Sequence, residues 1–180
     1  SENYDPISEK ILIGGNSTII DFLKKLDSEP FKFVISKNNI SGFVTMSDIQ
    51  KIPVRVSIFS LITELEIRLG ELIDRKYPKD DWVKSLTKGR LKKIENKIQD
   101  VKNQDNFVSM ILLTELVDKF EILKKMKILQ FSGKQLDKKF RNISLLRNNV
   151  AHSSDFADTK IGCLETSESI KFILQLLNEF

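Results

Sequence analysis

A chain of 180 residues, 41% of them hydrophobic and with a net charge of +4, is long enough for one ordinary domain, or a small one plus a medium one, around a real core. Four prolines and seven glycines argue against disorder, and one cysteine (Cys163) with one histidine (His152) excludes an internal disulfide framework and a multi-cysteine zinc site, which favours metal-free chemistry. No opening segment pairs a basic start with an apolar run and no apolar run nears membrane-spanning length, so a soluble cytoplasmic protein is expected.

The first part of the chain alternates short strands with helix. Lys10 to Ile13 is a short apolar stretch stopped by Gly14-Gly15. Ser17 or Thr18 can cap a helix whose apolar stripe is Ile19, Ile20, Leu23 and Leu26, and Pro30 closes that unit. Phe31, Phe33 and Ile35 alternate with Lys32, Val34 and Ser36, the pattern of a strand buried on at least one face. Lys37-Asn38-Asn39 supplies a turn, because asparagine tolerates left-handed backbone angles. A second strand follows over Ile40 to Thr45, and Ser47-Asp48 opens a further helical segment.

This order, with Phe33-Val34-Ile35, the Asn38-Asn39 turn and Gly42-Phe43-Val44-Thr45-Met46-Ser47-Asp48, resembles a CBS domain over about the first 54 residues. The resemblance implies an adenine-nucleotide site in which the Thr45 hydroxyl and the Asp48 carboxylate hold the adenosine. A carboxylate can accept two bonds from vicinal ribose hydroxyls, and a helix start beside it favours phosphate. CBS motifs come in pairs and this chain has one. The cleft would therefore be completed by a second subunit, or the module would serve only for dimerisation.

Ile52-Pro53 marks the expected domain boundary, since proline disfavours helix in the residue before it. The domains are read as 1–54 and 55–180. From Ser57 the period is helical: Ile58, Ile62, Leu65, Leu69 and Leu72 recur at spacings of three and four until Pro78. Ser85 to Val101 is the most basic segment, with Lys84, Lys88, Arg90, Lys92, Lys93, Lys97 and Lys102 around a stripe of Leu91, Ile94, Ile98 and Val101. Phosphate-backbone contact is its functional reading. Asp105-Asn106 can cap a third helix with a dense apolar run: Phe107, Val108, Ile111, Leu112, Leu113, Leu116, Val117 and Phe120. Such a helix is central in a bundle or lies at a partner interface. Gly133 separates it from a fourth helix near Lys134 to Val150, with Leu136, Phe140, Ile143 and Leu146 inward. Ser153 to Gly162 reads as a loop, and Ser167 with Ile170, Phe172, Ile173, Leu176 and Leu177 as a last helix. Five helical segments without an internal repeat fit an all-α bundle.

Charge is uneven. Six of the 29 basic and seven of the 25 acidic residues lie in Ser1–Val54, leaving 23 basic and 18 acidic from Arg55 onward, a net +5 against −1. A basic surface concentrates polyanions such as RNA, although a solvated lysine face is common in helical proteins. At the end of the fourth helix stands Arg147-Asn148-Asn149-Val150-Ala151-His152, an arginine five positions before the histidine with a polar residue directly after it. Together with the run of amphipathic helices, this motif resembles the HEPN superfamily. The fold expected is thus α+β: a small N-terminal CBS-like α/β module followed by an all-α HEPN helical bundle.

The HEPN resemblance implies a metal-independent endoribonuclease acting as a homodimer on single-stranded RNA and leaving 2′,3′-cyclic phosphate ends, with Arg147, Asn148 and His152 as catalytic residues. His152 would exchange protons, Arg147 would hold the phosphate oxygens, and Asn148 would orient the histidine or bind phosphate. Regulation by an adenine nucleotide through the CBS-like module, in stress or phage defence, accompanies that reading. Relatives of the toxin type carry a tyrosine two places after the histidine; Ser154 stands there, which counts against control by modification of such a tyrosine. Five residues of continuous helix turn a side chain by about 140°. Arg147 and His152 therefore converge only if the helix ends near Val150 and the chain turns, or if two subunits supply them. The alternatives are a non-catalytic nucleotide-sensing or dimerisation module, and a plain RNA-binding protein. In both, Arg147 pairs with a nearby acid and His152 is a helix C-terminal residue favoured by the dipole.

Overall fold

The computed structural model describes residues 7–26, 31–102, 109–128, 134–152 and 154–180. Pro30, the Asp105-Asn106 cap, Phe107, Val108 and Gly133, each given a place above, lie outside these residues. The fold is mixed α+β and mostly helical, with six described α-helices and one three-stranded sheet. By internal contacts the chain divides into two units: Ser1–Leu61 with Leu145–Gln175, and Ile62–Ser144 with Leu176–Phe180.

In the first unit the sheet has the order β1 (Leu12–Gly14), β2 (Phe31–Ser36), β3 (Asn39–Thr45). β1 runs parallel to β2, with Leu12 opposite Phe33, and the crossover between them carries α1 (Ile19–Lys24). Thr18 starts that helix: its hydroxyl accepts from the Asp21 amide at 3.1 Å, and the Asp21 carboxylate accepts from the Thr18 amide at 3.2 Å. Such reciprocal capping satisfies two donors that a helix start leaves open. β2 and β3 form an antiparallel hairpin closed by Lys37 and Asn38, whose φ angles of 49° and 64° are both left-handed. That pair of angles matches the right-handed twist of the flanking strands, so a two-residue loop suffices.

Burial on β2 departs from the alternation in the sequence. Lys32 is the buried position, 1% exposed, while Phe31, Phe33 and Ile35 are half-buried. Its ammonium donates to the Lys10 carbonyl, which lets the aliphatic stem lie under the sheet while the charge finds an acceptor at its edge.

The helix expected from Ser57 begins earlier: α2 spans Ile52–Lys76. Pro53 stands in its first turn, where amide protons have no intrahelical acceptor, so the missing N–H costs nothing and the fixed φ suits a helix. The boundary expected at Val54–Arg55 thus falls inside a continuous helix whose first ten residues belong to the first unit.

In the second unit a 3-10 turn over Asp81–Ser85 buries Trp82 completely, with its indole N–H donating to Asp80 at 3.1 Å. α3 spans Lys88–Lys102. The dense apolar helix expected next is two pieces among the described residues, a 3-10 turn at Met110–Leu113 and α4 at Leu116–Lys125. The break has local causes. The Thr114 hydroxyl donates back to Ile111 O at 2.6 Å, and Asp118 accepts the Glu115 amide at 3.0 Å, which starts a new helix. Buried Lys119 then donates to the carbonyl of buried Thr114 at 2.8 Å. Burial pushes its ammonium below the usual lysine range, opposed by Glu66 at 3.6 Å.

α5 (Lys134–Ala151) buries Leu136, Phe140, Ile143 and Leu146, as its period predicts. Within the second unit Phe140 stacks on Phe120 at 4.0 Å between centroids. α6 (Lys160–Glu179) begins seven residues before Ser167. The glycine that suggested a loop, Gly162, lies in its first turn. A Cβ there would stand 2.8 Å from the Phe156 carbonyl, so glycine is what admits the preceding loop so close to the helix. No described helix is long and apolar enough to cross a membrane.

Candidate functional site

The C-terminal end of α5 carries the Arg147–His152 segment, and its backbone is set by alternating exposure. Leu146 and Val150 are buried and fix the rotation of the helix. Asn148 and His152 then project into solvent, and Arg147 is half-buried. Arg147 Nη1 donates to Asn148 Oδ1 at 3.4 Å, and among the described residues Arg147 makes no ion pair. The pairing of Arg147 with a nearby acid is therefore not what holds it.

The helix does not stop at Val150. It continues through Ala151, and the His152 amide still donates to Asn148 O at 3.0 Å, a helical bond. The rotation of about 140° between Arg147 and His152 therefore persists within one protomer. Arg147 and Asn148 are brought together; His152 lies round the helix from Arg147.

Sequence reasoning missed the residue that anchors this segment. Arg55, in the first turn of α2, donates from Nη1 to Ser154 O at 2.9 Å and to Asn149 O at 3.4 Å. From Nε and Nη2 it donates to Gln50 O at 3.0 Å and Gln50 Oε1 at 2.6 Å. Its guanidinium also lies 5.0 Å over the Phe156 ring and 3.7 Å from Asp155, and its side chain is only 14% exposed. A planar cation with five donors can serve several carbonyls at once, and it sits favourably at the negative end of α5. The only sequence signal for it is an arginine at a helix start after proline, which has no periodicity to reveal it.

Thr45 and Asp48 are also brought together. Asp48 Oδ2 accepts from the Thr45 amide at 2.7 Å and from its hydroxyl at 3.2 Å, at the start of the 3-10 turn Met46–Gln50. Asp48 Oδ1 meets Lys51 at 2.5 Å. Lys51 has the largest effect on the Asp48 carboxyl and lowers it, burial opposes, and the Thr45 donors add to the lowering, so the group lies below the usual carboxylate range. Asp21, bonded to Lys24 and Thr18, is lowered to about 2. Because both folded values are depressed, both groups add stability above the ordinary carboxylate range, and that stability is lost as pH falls through the folded values. Acid unfolding followed by circular dichroism should steepen between about pH 4 and 2. Asp48→Asn should flatten that slope; an unchanged slope would remove Asp48 from the account.

The basic helix is less free than its sequence implies. Arg90 is committed to Asp118 at 2.8 Å and to Glu115 at 3.2 Å, and Lys84 to Asp81 at 2.6 Å. Lys88, Lys92, Lys93 and Lys97 remain exposed along α3. Among the described residues, no group of three or more His, Cys, Asp or Glu is placed to hold a metal ion. In comparisons with known proteins, no family model, no curated protein and no solved structure matches the chain.

Proposed function

We propose that the chain is a metal-independent endoribonuclease that cleaves single-stranded RNA in the cytoplasm as a homodimer, with Arg147, Asn148 and His152 as its catalytic residues. The observation that carries this reading is the placement of these three side chains on the well-anchored end of α5, with Asn148 and His152 open to solvent and Arg147 free of any described acid. A site for a polymeric substrate needs such access, and a fixed backbone lets the groups meet the scissile phosphate in one geometry.

In the proposed reaction the 2′-hydroxyl oxygen attacks its neighbouring phosphorus while an imidazole takes the hydroxyl proton. The new O2′–P bond forms as the P–O5′ bond breaks, and the imidazolium so formed passes its proton to the departing 5′-oxygen. The products are a 2′,3′-cyclic phosphate and a 5′-hydroxyl. Arg147 supplies charge and paired donors to the non-bridging oxygens as negative charge builds on the phosphorane. DNA, without a 2′-hydroxyl, should survive. The helical separation of Arg147 and His152 favours a cleft shared by two copies, and the lysines of α3 suit phosphate-backbone contact. The basic test is cleavage of an unstructured RNA by purified protein with a chelator present; intact RNA at every enzyme concentration would sink the proposal.

A second reading has its own observation. Thr45 and Asp48 already satisfy each other and Lys51, as a purely structural turn would. On that reading the chain is a non-catalytic dimerisation or nucleotide-sensing module. Calorimetric titration with AMP, ADP, ATP and short oligoadenylates separates the cases. If the CBS-like module is a sensor serving stress or phage defence, a ribose must displace Lys51 from Asp48. Asp48→Ala should then weaken binding roughly tenfold to a hundredfold, the loss of one charge-assisted bond of about 1.5–3 kcal/mol. No heat with any of these ligands would assign the turn to structure alone.

A further inference from the structure

We propose that Arg55 is a positioning residue for the His152 segment and joins it to the 3-10 turn that contains Asp48. The inference rests on the ribonuclease reading only for what the segment does; that Arg55 holds it follows from the geometry. One guanidinium spans two places far apart in sequence. On one side it grips both oxygens of Gln50, the last residue of the Met46–Gln50 turn. On the other it grips the carbonyls of Asn149 and Ser154, which bracket His152 in the chain.

Two further features show that the grip is specific. Asn149 O also accepts the Ser154 amide at 3.0 Å, so Arg55 binds the carbonyls at both ends of the turn that closes α5. The turn cannot move without breaking bonds to the cation. Gln50 in turn points its Oε1 at Arg55 and leaves its own Nε2 buried with no partner among the described residues. A reversed amide would set two donors against each other, so the orientation that leaves Nε2 unpaired is the one the guanidinium requires.

The consequence is mechanical. A displacement of the Met46–Gln50 turn moves Gln50, and with it the cation that fixes the backbone on both sides of His152. A ligand at Thr45 and Asp48 would reach the histidine through this one side chain.

Three variants test this: Arg55→Lys, which keeps the charge but loses the fork; Arg55→Gln, which loses both; and Gln50→Ala, which removes the Oε1 bond to Arg55 and leaves the bond to the Gln50 carbonyl, without touching the segment. Hydrogen exchange reads the segment directly. In Arg55→Lys the His152 and Ser154 amides should exchange about tenfold or more faster, with protection in α3 and α4 unchanged. In Gln50→Ala the same two amides should accelerate by a smaller factor. In RNA cleavage, Arg55→Lys should lower kcat with KM near that of the unaltered protein, because bound RNA meets a misplaced group. Should Arg55→Gln fail to fold, Arg55→Lys and Gln50→Ala still decide. Unchanged exchange at His152 and Ser154 in folded Arg55→Lys overturns the positioning role, and unchanged exchange in Gln50→Ala overturns a link carried by the Gln50 side chain. Faster exchange in a protein that never cuts RNA would leave the positioning role standing and remove the ribonuclease reading alone.

Discussion

Replacing His152 with alanine should lower RNA cleavage by a factor of about 10²–10⁴, the usual contribution of a general acid–base group, while leaving the fold intact. The two halves of that expectation come from different observations. The rate should fall because His152 is the only imidazole in the chain, and no other side chain on the α5 end can take and return a proton near neutral pH. The fold should survive because the imidazole is exposed and the structural bonds of residue 152 run through its backbone amide. Arg147→Ala should cost about 10²–10³ by removing donors from the developing phosphorane charge. Arg147→Lys should recover only part of it, since an ammonium restores the charge without the paired geometry. Mixing the two inactive alanine variants offers a sharper measure. If a cleft is built from two copies, heterodimers of His152→Ala and Arg147→Ala should regain one intact set, and activity should partly return. Full activity in either single variant would remove these residues from catalysis.

Arg90→Leu should be the most destabilising single change in the second unit, by about 3–5 kcal/mol. Asp118 is 4% exposed, and Arg90 meets both of its oxygens, through Nε at 2.8 Å and through Nη2. A paired guanidinium and carboxylate offset each other's loss of water; the carboxylate alone does not, and among the described residues it would keep the Glu115 amide and the charge of Lys119. The ion pair leaves its mark on Arg90, whose pKa Asp118 raises further above the usual range. For a chain of this size the loss corresponds to a fall in Tm of about 10 °C. Removing both charges together, as Arg90→Leu with Asp118→Leu, should cost less than Arg90→Leu alone, because no unpaired charge stays behind. Urea denaturation of the single and the double variant measures this directly. A single variant within about 1 kcal/mol of the unaltered protein would mean that water reaches Asp118 and the pair is ornamental.

Features that depend on neighbours a few residues apart are legible in the chain alone. The period of Leu136, Phe140, Ile143 and Leu146 identifies the buried face of α5, because a helix returns to the same side every 3.6 residues whatever lies beyond it. Ser17 or Thr18 reveals a helix start, at Thr18 in the structure, and Lys37-Asn38-Asn39 a turn, for the same local reason. Local signals that two states share were misread: Pro53 and Gly162 looked like boundaries but lie in the first turns of α2 and α6. An apolar run over 111–120 hid a break set by Thr114 and Asp118.

Only the tertiary structure decided the rest. Lys32 takes the buried place on β2 because the Lys10 carbonyl is there to receive it, which alternation cannot foretell. Arg90 leaves the solvated basic face of α3 because Asp118, 28 positions away, claims it. The Arg147–His152 motif is visible as spacing, yet its holder is not. Arg55 meets Asn149 and Ser154 across 94 and 99 residues, and a hydrogen bond formed at that separation depends on where the folded backbone brings its carbonyls, not on any pattern in the chain between them.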